Sequence, residues 1–329
     1  MRRILISLSL FLAISLALCG FAPMLVGGNI EKTQPTVAEN AENDSVFLLI
    51  GVDQASYNAD VAILVRMKGQ SLSFLQLPRD SLLASGRRLN HVFAAAAVAV
   101  KNKGGSDKEA FSSGGKALSA LLGQAFGITV KAHAVLTLQG LRTLVDCIGG
   151  VEVTLERDLS YDDPVQGLTI RLSSGRQTLD GRAAEGLVRC RNAYPDADYG
   201  RMRAQCKLIK AVFAKVRSDL TPLTMLSLFR RAYHEVETDL AFRDALPLLG
   251  RLSDGDTALR FATLTGEGIS LSGASVEALS EVNLKKCAEY LGGTFDKDAC
   301  RAVFCYPEGR AREIYESKTP LPFCEEAEE

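Results

Sequence analysis

Three apolar runs, residues 46–52, 61–67 and 72–77, follow one another with turn residues between them. Short continuous runs of this kind read as strands of a sheet covered on both faces. Residues 91–100 are rich in Ala and Val over a helical length, and 116–126 repeat Leu at helical spacing until Gly127 stops them. A strand is predicted at 132–136, a helix over 139–148 ended by Gly149-Gly150, and an alternating strand at 151–155. Asp180 has the side chain to cap a helix over 181–188. Residues 199–216 form a long amphipathic pattern, with Met202, Cys206, Ile209 and Phe213 on one stripe. Helices are expected over 223–236 and 241–252, the second opened by Thr238 or Asp239 and closed near Gly250, and then a strand at 258–264. The succession predicts a layered α/β/α fold, with a central mixed sheet flanked by helices. No internal repeat is visible, and the segment from about 285 bears cysteines, ends acidic and shows no clear period.

Composition adds size and location to this picture. A chain of 329 residues with 47% hydrophobic content buries a large core, as one large domain or two small ones. The net charge of -1 hides an asymmetry: residues 171–217 hold eleven basic and four acidic residues, whereas 218–329 hold twelve basic and twenty acidic. A local positive field suits a bound anionic ligand. Nucleic acid, which asks for a basic domain overall, is not an expected partner.

After Arg2 and Arg3 no charged residue occurs until Glu31, and the apolar stretch from Ile4 to Val26 is long enough to cross a bilayer. Its flanking arginines orient the remainder outside the cytoplasm. A cleaved signal peptide is the rival reading. A lipoprotein box at Leu16-Ala-Leu-Cys19 is a third, with Leu18 a poor residue before a modified cysteine. The expected organisation is a cytoplasmic stub and transmembrane anchor over 1–28, a polar tether over 29–44, a main α/β domain over 45–270 and a cysteine-bearing tail over 271–329. Seven cysteines lie outside the apolar segment, so pairing outside the membrane is open and one thiol at least stays unpaired. Structural zinc is not expected, since no tight Cys-x-x-Cys pair is present.

The candidate chemistry lies in two places. Arg189-Cys-Arg191 is followed after six residues by Asp198, then Tyr-Gly-Arg201 and Gln205. In extended chain the i, i+2 arginines point to one side, and Arg201 and Gln205 at i, i+4 share a helix face. Planar, permanently charged guanidinium groups bind phosphate oxygens in pairs, so the segment suits a pyrophosphate. Arg203 lies about 200° around the helix from Arg201 and reads as solvated surface. The second place is Leu49-Ile-Gly-Val-Asp53, then Asp60, then Leu77-Pro-Arg79-Asp80, which sets carboxylates and an Arg-Asp pair at the ends of predicted strands. Lone aspartates there are commonly turn formers. Neither a Gly-x-Ser-x-Gly elbow nor a His-Glu-x-x-His motif is present, which sets aside serine-nucleophile and zinc-hydrolase chemistry.

The order of these motifs, with Arg88-Leu-Asn90, Val145-Asp-Cys-Ile-Gly-Gly-Val-Glu-Val153, Tyr161-Asp-Asp163 and Leu179-Asp-Gly-Arg-Ala183, resembles the LytR-CpsA-Psr family of cell-wall glycopolymer phosphotransferases. The likeness spans about residues 44–216 and extends to about 264. It implies a membrane-anchored, extracytoplasmic enzyme that moves a glycopolymer phosphate from undecaprenyl pyrophosphate to a hydroxyl of peptidoglycan. By the same resemblance Asp53 and Asp60 hold Mg²⁺, and Arg79, Arg189, Arg191, Arg201 and Gln205 contact the pyrophosphate. Asp80 and Asp198 fill acidic positions that orient groups or transfer a proton. Two positions depart from the family pattern: Asn58 and Ala204 stand where arginines are usual. A polyprenyl-pyrophosphate hydrolase and a non-catalytic polyprenyl-pyrophosphate binder or scaffold are the alternatives. The Ala/Val-rich segment from Phe93 to Val100 offers either a lipid groove or ordinary core.

Overall fold

The computed structural model describes residues 44–163, 167–219, 233, 235–241, 256–322 and 324–326. The expected anchor over 1–28 and nearly all of the tether lie outside these residues, as do almost all of the helices expected over 223–236 and 241–252. Among the described residues no helix is long and apolar enough to cross a membrane. The chain divides into two compact units, one drawn from Glu31–Val135, Glu237–Leu240 and Ala258–Glu329, the other including Leu136–Val236 and Ala241–Thr257.

The first unit is built on three antiparallel neighbours, β1 (Asp44–Asp53), β2 (Asn58–Lys68) and β3 (Ser71–Leu77). Helices α1 (Asn90–Lys101) and α2 (Asp107–Phe126) follow, then β4 (Val130–Thr137). Later strands β9 (Glu237–Thr238), β10 (Ala258–Thr263) and β13 (Cys324–Glu326) complete seven strands in the order β13-β10-β3-β2-β1-β4-β9. β3 and β10 are parallel and the other recorded pairings are antiparallel, so the sheet is mixed as expected.

Register explains the unbroken apolar runs. Leu48, Leu64, Leu75 and Ala262 line up across four strands on one face, and Phe47, Val65, Phe74 and Phe261 on the other. All eight are buried. Phe74 and Phe261 stack at 4.6 Å between ring centroids, the offset geometry aromatic pairs prefer. The first face packs on Phe93 and Ala97 of α1 and on Phe111, Leu118 and Leu122 of α2. The inward side of 93–100 is therefore core.

Helix α2 starts nine residues earlier than its leucine spacing suggests. Ser106 accepts from the Glu109 backbone while the Glu109 carboxylate accepts from the Ser106 backbone, a reciprocal cap that satisfies two otherwise orphaned donors. Gly114 and Gly115 inside it look like breakers but serve packing: a Cβ there would collide with Phe93 and with the His133 ring. The helix ends at Gly127, which is left-handed at φ 60°.

The tail belongs to the same unit. Hairpin β11 (Glu267–Leu271) and β12 (Ala274–Ala278) precedes α6 (Glu281–Tyr290), α7 (Lys297–Phe304) and α8 (Gly309–Glu316). Ser280 and Asp296 cap α6 and α7, and Cys287, Cys300, Cys305 and Tyr315 join the core that covers the sheet. Cys147, Cys190, Cys206, Cys287, Cys300 and Cys305 are free thiols. Burial pushes the Cys300 thiol up to about 12 and Cys287 higher still, which marks them as inert packing groups.

The second unit contains α3 (Leu138–Cys147), capped by Thr137, and the antiparallel pairs β5 (Val151–Leu155) with β8 (Gly175–Leu179) and β6 (Leu159–Asp163) with β7 (Leu168–Leu172). Helices α4 (Gly181–Arg189) and α5 (Asp198–Asp219) complete its described elements. The Val145-Asp146 and Leu179-Asp180-Gly181 phrases meet here. Asp146 Oδ1 accepts from the Gly181 backbone at 2.6 Å, and Asp180 Oδ1 accepts from Ala183 at 2.8 Å, so two carboxylates serve the positive N-terminus of α4. Gly181 lies so close to the Arg142 carbonyl that a Cβ would overlap it. Gly181→Ala should therefore cost about 1–3 kcal/mol of stability, read as a lower denaturation midpoint; an unchanged midpoint would mean that α3 and α4 can separate freely.

Candidate functional site

In the first unit the strand ends carry the expected carboxylates. Asp53 closes β1 opposite Asn58, the first residue of β2. Its Oδ1 accepts from the Ala55 backbone at 3.1 Å and its Oδ2 from the Ser56 hydroxyl at 2.9 Å, a turn-forming arrangement. The hairpin register slips beside Gly51: Gly51 pairs with Val61 and Val52 with Ala59, which leaves Asp60 as the extra residue of a β-bulge. Bulges re-aim a side chain at the edge of a site. Tyr57 holds the turn at φ 55° and donates its hydroxyl to Asp107 Oδ1 of α2 at 2.5 Å. Positive φ is strained for an aromatic residue, and this anchor offsets the strain.

Arg79 follows β3, whose last residue Leu77 pairs with Ala62. Its Nη1 donates to Asp60 Oδ1 at 2.7 Å, and its Nε lies 3.7 Å from Asp80 Oδ2. Asp80 Oδ1 is 3.1 Å from Arg88 Nη1. The motif residues thus form an alternating row, Asp60, Arg79, Asp80, Arg88, whose side chains are one-fifth to one-third exposed. Its backbone is fixed from two directions. Asn90 at the start of α1 donates to the Arg79 carbonyl, and β12 brackets Asp80 through Glu277 N to the Asp80 carbonyl (2.9 Å) and Leu82 N to the Glu277 carbonyl (2.8 Å). Ser81, fully buried, donates its hydroxyl to the Pro78 carbonyl at 2.6 Å.

In the second unit Arg189 is the last residue of α4 and Arg191 lies in the following loop. The condition for an i, i+2 fork, both arginines in extended chain, is not met: α4 runs one residue past Val188, so Arg189 is helical, and Cys190 after it, fully buried, is extended. Arg191 is exposed. Arg201 and Gln205 share one face of α5 as expected, and both are buried. Arg201 Nη2 contacts Asp198 Oδ1 at 2.8 Å, and Gln205 Nε2 donates to the Val188 carbonyl at 3.3 Å, tying α5 to α4. Arg203 is exposed and pairs with Asp196. Ala204 is buried on α5, and Asn58 donates to the Ser56 hydroxyl within its own turn.

Two residues of this unit escaped the motif reading. Glu185 of α4 has a side chain 1% exposed and is bonded by both Arg189 and Arg142. The one available signal was negative: an acidic residue amid Ala183, Ala184 and Gly186 reads as solvated surface until Arg142, 43 residues away, is placed beside it.

The chain belongs to the LytR_cpsA_psr family, whose family model it matches over residues 27–291. Among known proteins it is 26% identical to Biofilm regulatory protein A of Streptococcus mutans, over 89% of this chain and 76% of that protein. It is 24% identical to the polyisoprenyl-teichoic acid–peptidoglycan teichoic acid transferase TagU of Enterococcus faecalis, over 86% of this chain and 93% of that protein. Of solved structures, protein gbs0355 of Streptococcus agalactiae matches with a TM-score of 0.65 at 21% identity, covering 80% of this chain and 93% of that one. TagT bound to LIIa-WTA matches with a TM-score of 0.57 at 22% identity, over the same shares. At these identities the structural likenesses bear on the fold, a mixed α/β domain with a central mixed sheet.

Proposed function

We propose that this chain transfers a glycopolymer phosphate from an undecaprenyl-pyrophosphate carrier to a peptidoglycan hydroxyl. The observation that carries the reading is the Arg79 guanidinium at the end of β3, 2.7 Å from Asp60 and flanked by Asp80 and Arg88. Family membership supports it, as does the likeness to a protein named as a teichoic acid transferase. The apolar stretch from Ile4 to Val26 supports a single-pass location with the domain outside the cytoplasm, beside membrane-borne carrier and wall.

The reaction forms a bond from the acceptor oxygen to the glycopolymer-bearing phosphorus and breaks the bond to the polyprenyl phosphate. Arg79, Arg189, Arg191 and Arg201, with Gln205, bind the phosphate oxygens and stabilise charge that develops on the leaving group. Either Asp80 or Asp198 accepts the acceptor's proton, each already oriented by a guanidinium group. The donor set also fits Mg²⁺. Among the described residues no cluster of three or more His, Cys, Asp or Glu side chains is arranged to hold a metal. Mg²⁺ is content with one or two carboxylates, completing its shell with phosphate oxygens and water. Asp53 and Asp60, hard oxygen donors near one end of the β1–β2 hairpin, are the residues that would hold it. Bound there, it supplies neutralisation of the phosphate charge.

A binder reading is favoured by Asn58 and Ala204, which stand where the family pattern has arginines, Ala204 being buried. The full chain, incubated with a short-chain polyprenyl-pyrophosphate glycan, peptidoglycan fragments and Mg²⁺, separates the readings by mass spectrometry. The expected product is glycan phosphate joined to peptidoglycan, lost on chelation with EDTA. Carrier cleaved without a joined product would replace transfer by hydrolysis, and carrier bound but intact under all conditions would leave only a binder.

A further inference from the structure

Among the described residues of its unit Glu185 is the most deeply buried carboxylate, and no motif accounts for it. It sits in the middle of α4 with its side chain 1% exposed. Oε1 accepts from Arg189 Nη1 at 2.9 Å, and Oε2 accepts from Arg142 Nε of α3. A carboxylate this deep persists only when paired and hydrogen-bonded, and here each oxygen has its own guanidinium. The carboxylate holds the Arg142 guanidinium above its ordinary range.

An Arg189–Glu185 pair taken by itself is neutral, and a poor attractor for an incoming polyanion. The second arginine changes the sum over these three side chains, since two guanidinium groups share one carboxylate and their charges total +1. Both groups bond to one carboxylate, so Arg142 is held close to Arg189. It is held through Nε, and among the described residues its two terminal nitrogens make no hydrogen bond. The Arg142 side chain is 39% exposed, against 20% for Arg189.

We propose that Arg142 and Glu185 complete the anion site around Arg189: Glu185 is a positioning residue that orients Arg189, and Arg142 is a further phosphate-binding residue that keeps the cluster positive. This rests on the carrier-pyrophosphate reading above and adds to it two residues that lie outside the recognised motifs. Orienting a long side chain before binding removes part of the entropic cost of the complex, and the surviving charge supplies the attraction. A purely structural clamp between α3 and α4 would need no surplus charge.

The test is a double-mutant cycle on the full chain, with geranyl pyrophosphate as the probe. Binding is measured by calorimetry at low and high salt for wild type, Arg142→Gln, Glu185→Gln and the double variant, with the melting temperature of each recorded. Arg142→Gln should weaken binding about tenfold at low salt and less at high salt, where the field is screened. The double variant restores the wild-type net charge and should recover most of that loss, although it is no better packed. Arg142→Gln binding as wild type, or a double variant weaker than Arg142→Gln alone, would overturn the inference. So would losses of binding that simply follow losses of melting temperature. Wild type that binds no geranyl pyrophosphate would instead overturn the carrier reading itself, which keeps the two failures apart.

Discussion

Arg79→Ala should lower kcat for glycopolymer transfer by about 10²–10³-fold, the usual cost of removing one preorganised donor from developing charge. The side chain does two jobs in the observed geometry. It offers a guanidinium at the end of β3, and it separates the Asp60 and Asp80 carboxylates, bonding the first at 2.7 Å and standing 3.7 Å from the second. Without it those carboxylates face one another with Arg88 as the remaining cation in the row. The Mg²⁺ concentration for half-maximal rate should therefore fall even as kcat collapses, because Asp60 no longer shares its Oδ1 with an arginine. Arg79→Lys keeps the charge and loses the fork, and should lie between wild type and Arg79→Ala. The ion pair is partly solvated, so its contribution to stability is at most about 1 kcal/mol. A melting temperature within a few degrees of wild type beside the kinetic loss would confirm a role in the reaction. An unchanged kcat would remove Arg79 from the site altogether.

How much of this was legible in the chain depends on whether a signal was local. The strands β1, β2 and β3 were readable because both of their faces are buried, which makes their apolar runs continuous. Gly127 and Asp180 were readable because a helix terminus is settled by the residue standing there. The first nine residues of α2 hold no leucine, so the spacing that marks 116–126 does not reach them; the Ser106 and Glu109 capping pair is the local signal for where the helix starts. The two glycines are explained only by Phe93 and His133, which pack where a Cβ would stand.

The site was legible in a different sense. The motifs named the carboxylates and arginines, but not how they are paired. That Asp60 is a bulge residue follows from a register slip at Gly51 and Val52, and nothing in the spacing from Asp53 to Asp60 requires it. The pairing of Arg201 with Asp198 at i, i+3 is local and follows once the helix is placed. Glu185 is the opposite case, since its partner Arg142 lies on another helix and its own neighbours suggest solvent. The tail was opaque because β11, β12 and three short helices carry too few residues each to display a period. Its role comes from contacts made far away in sequence, with β12 bracketing Asp80 and α7 packing on α2.

Tyr315→Ala should cost about 3–5 kcal/mol of stability, the largest effect expected from a single substitution in the tail. Tyr315 is fully buried in α8, where it packs in the same core as Cys287, Cys300 and Cys305 and the leucines of α2. Its phenol is pushed well above its ordinary range by burial and by Cys300, and Arg301 stands 6.0 Å from its ring centroid. Truncation to Ala removes an aromatic ring from a close-packed interior that collapses only partly around the gap. Tyr315→Phe keeps the ring and removes a buried hydroxyl that makes no hydrogen bond among the described residues, so it should cost little or nothing. The contrast between the two isolates the packing of the ring. Chemical denaturation followed by near-ultraviolet circular dichroism would read it, because the tyrosine and phenylalanine rings of this core report its packing. The same core leads through α6 and β12 to the Asp80 backbone, so in Tyr315→Ala the transfer activity should fail at a lower temperature than in wild type. If Tyr315→Ala left the denaturation midpoint unchanged, the helices after β12 would have to fold apart from the sheet that holds Asp53, Asp60 and Arg79.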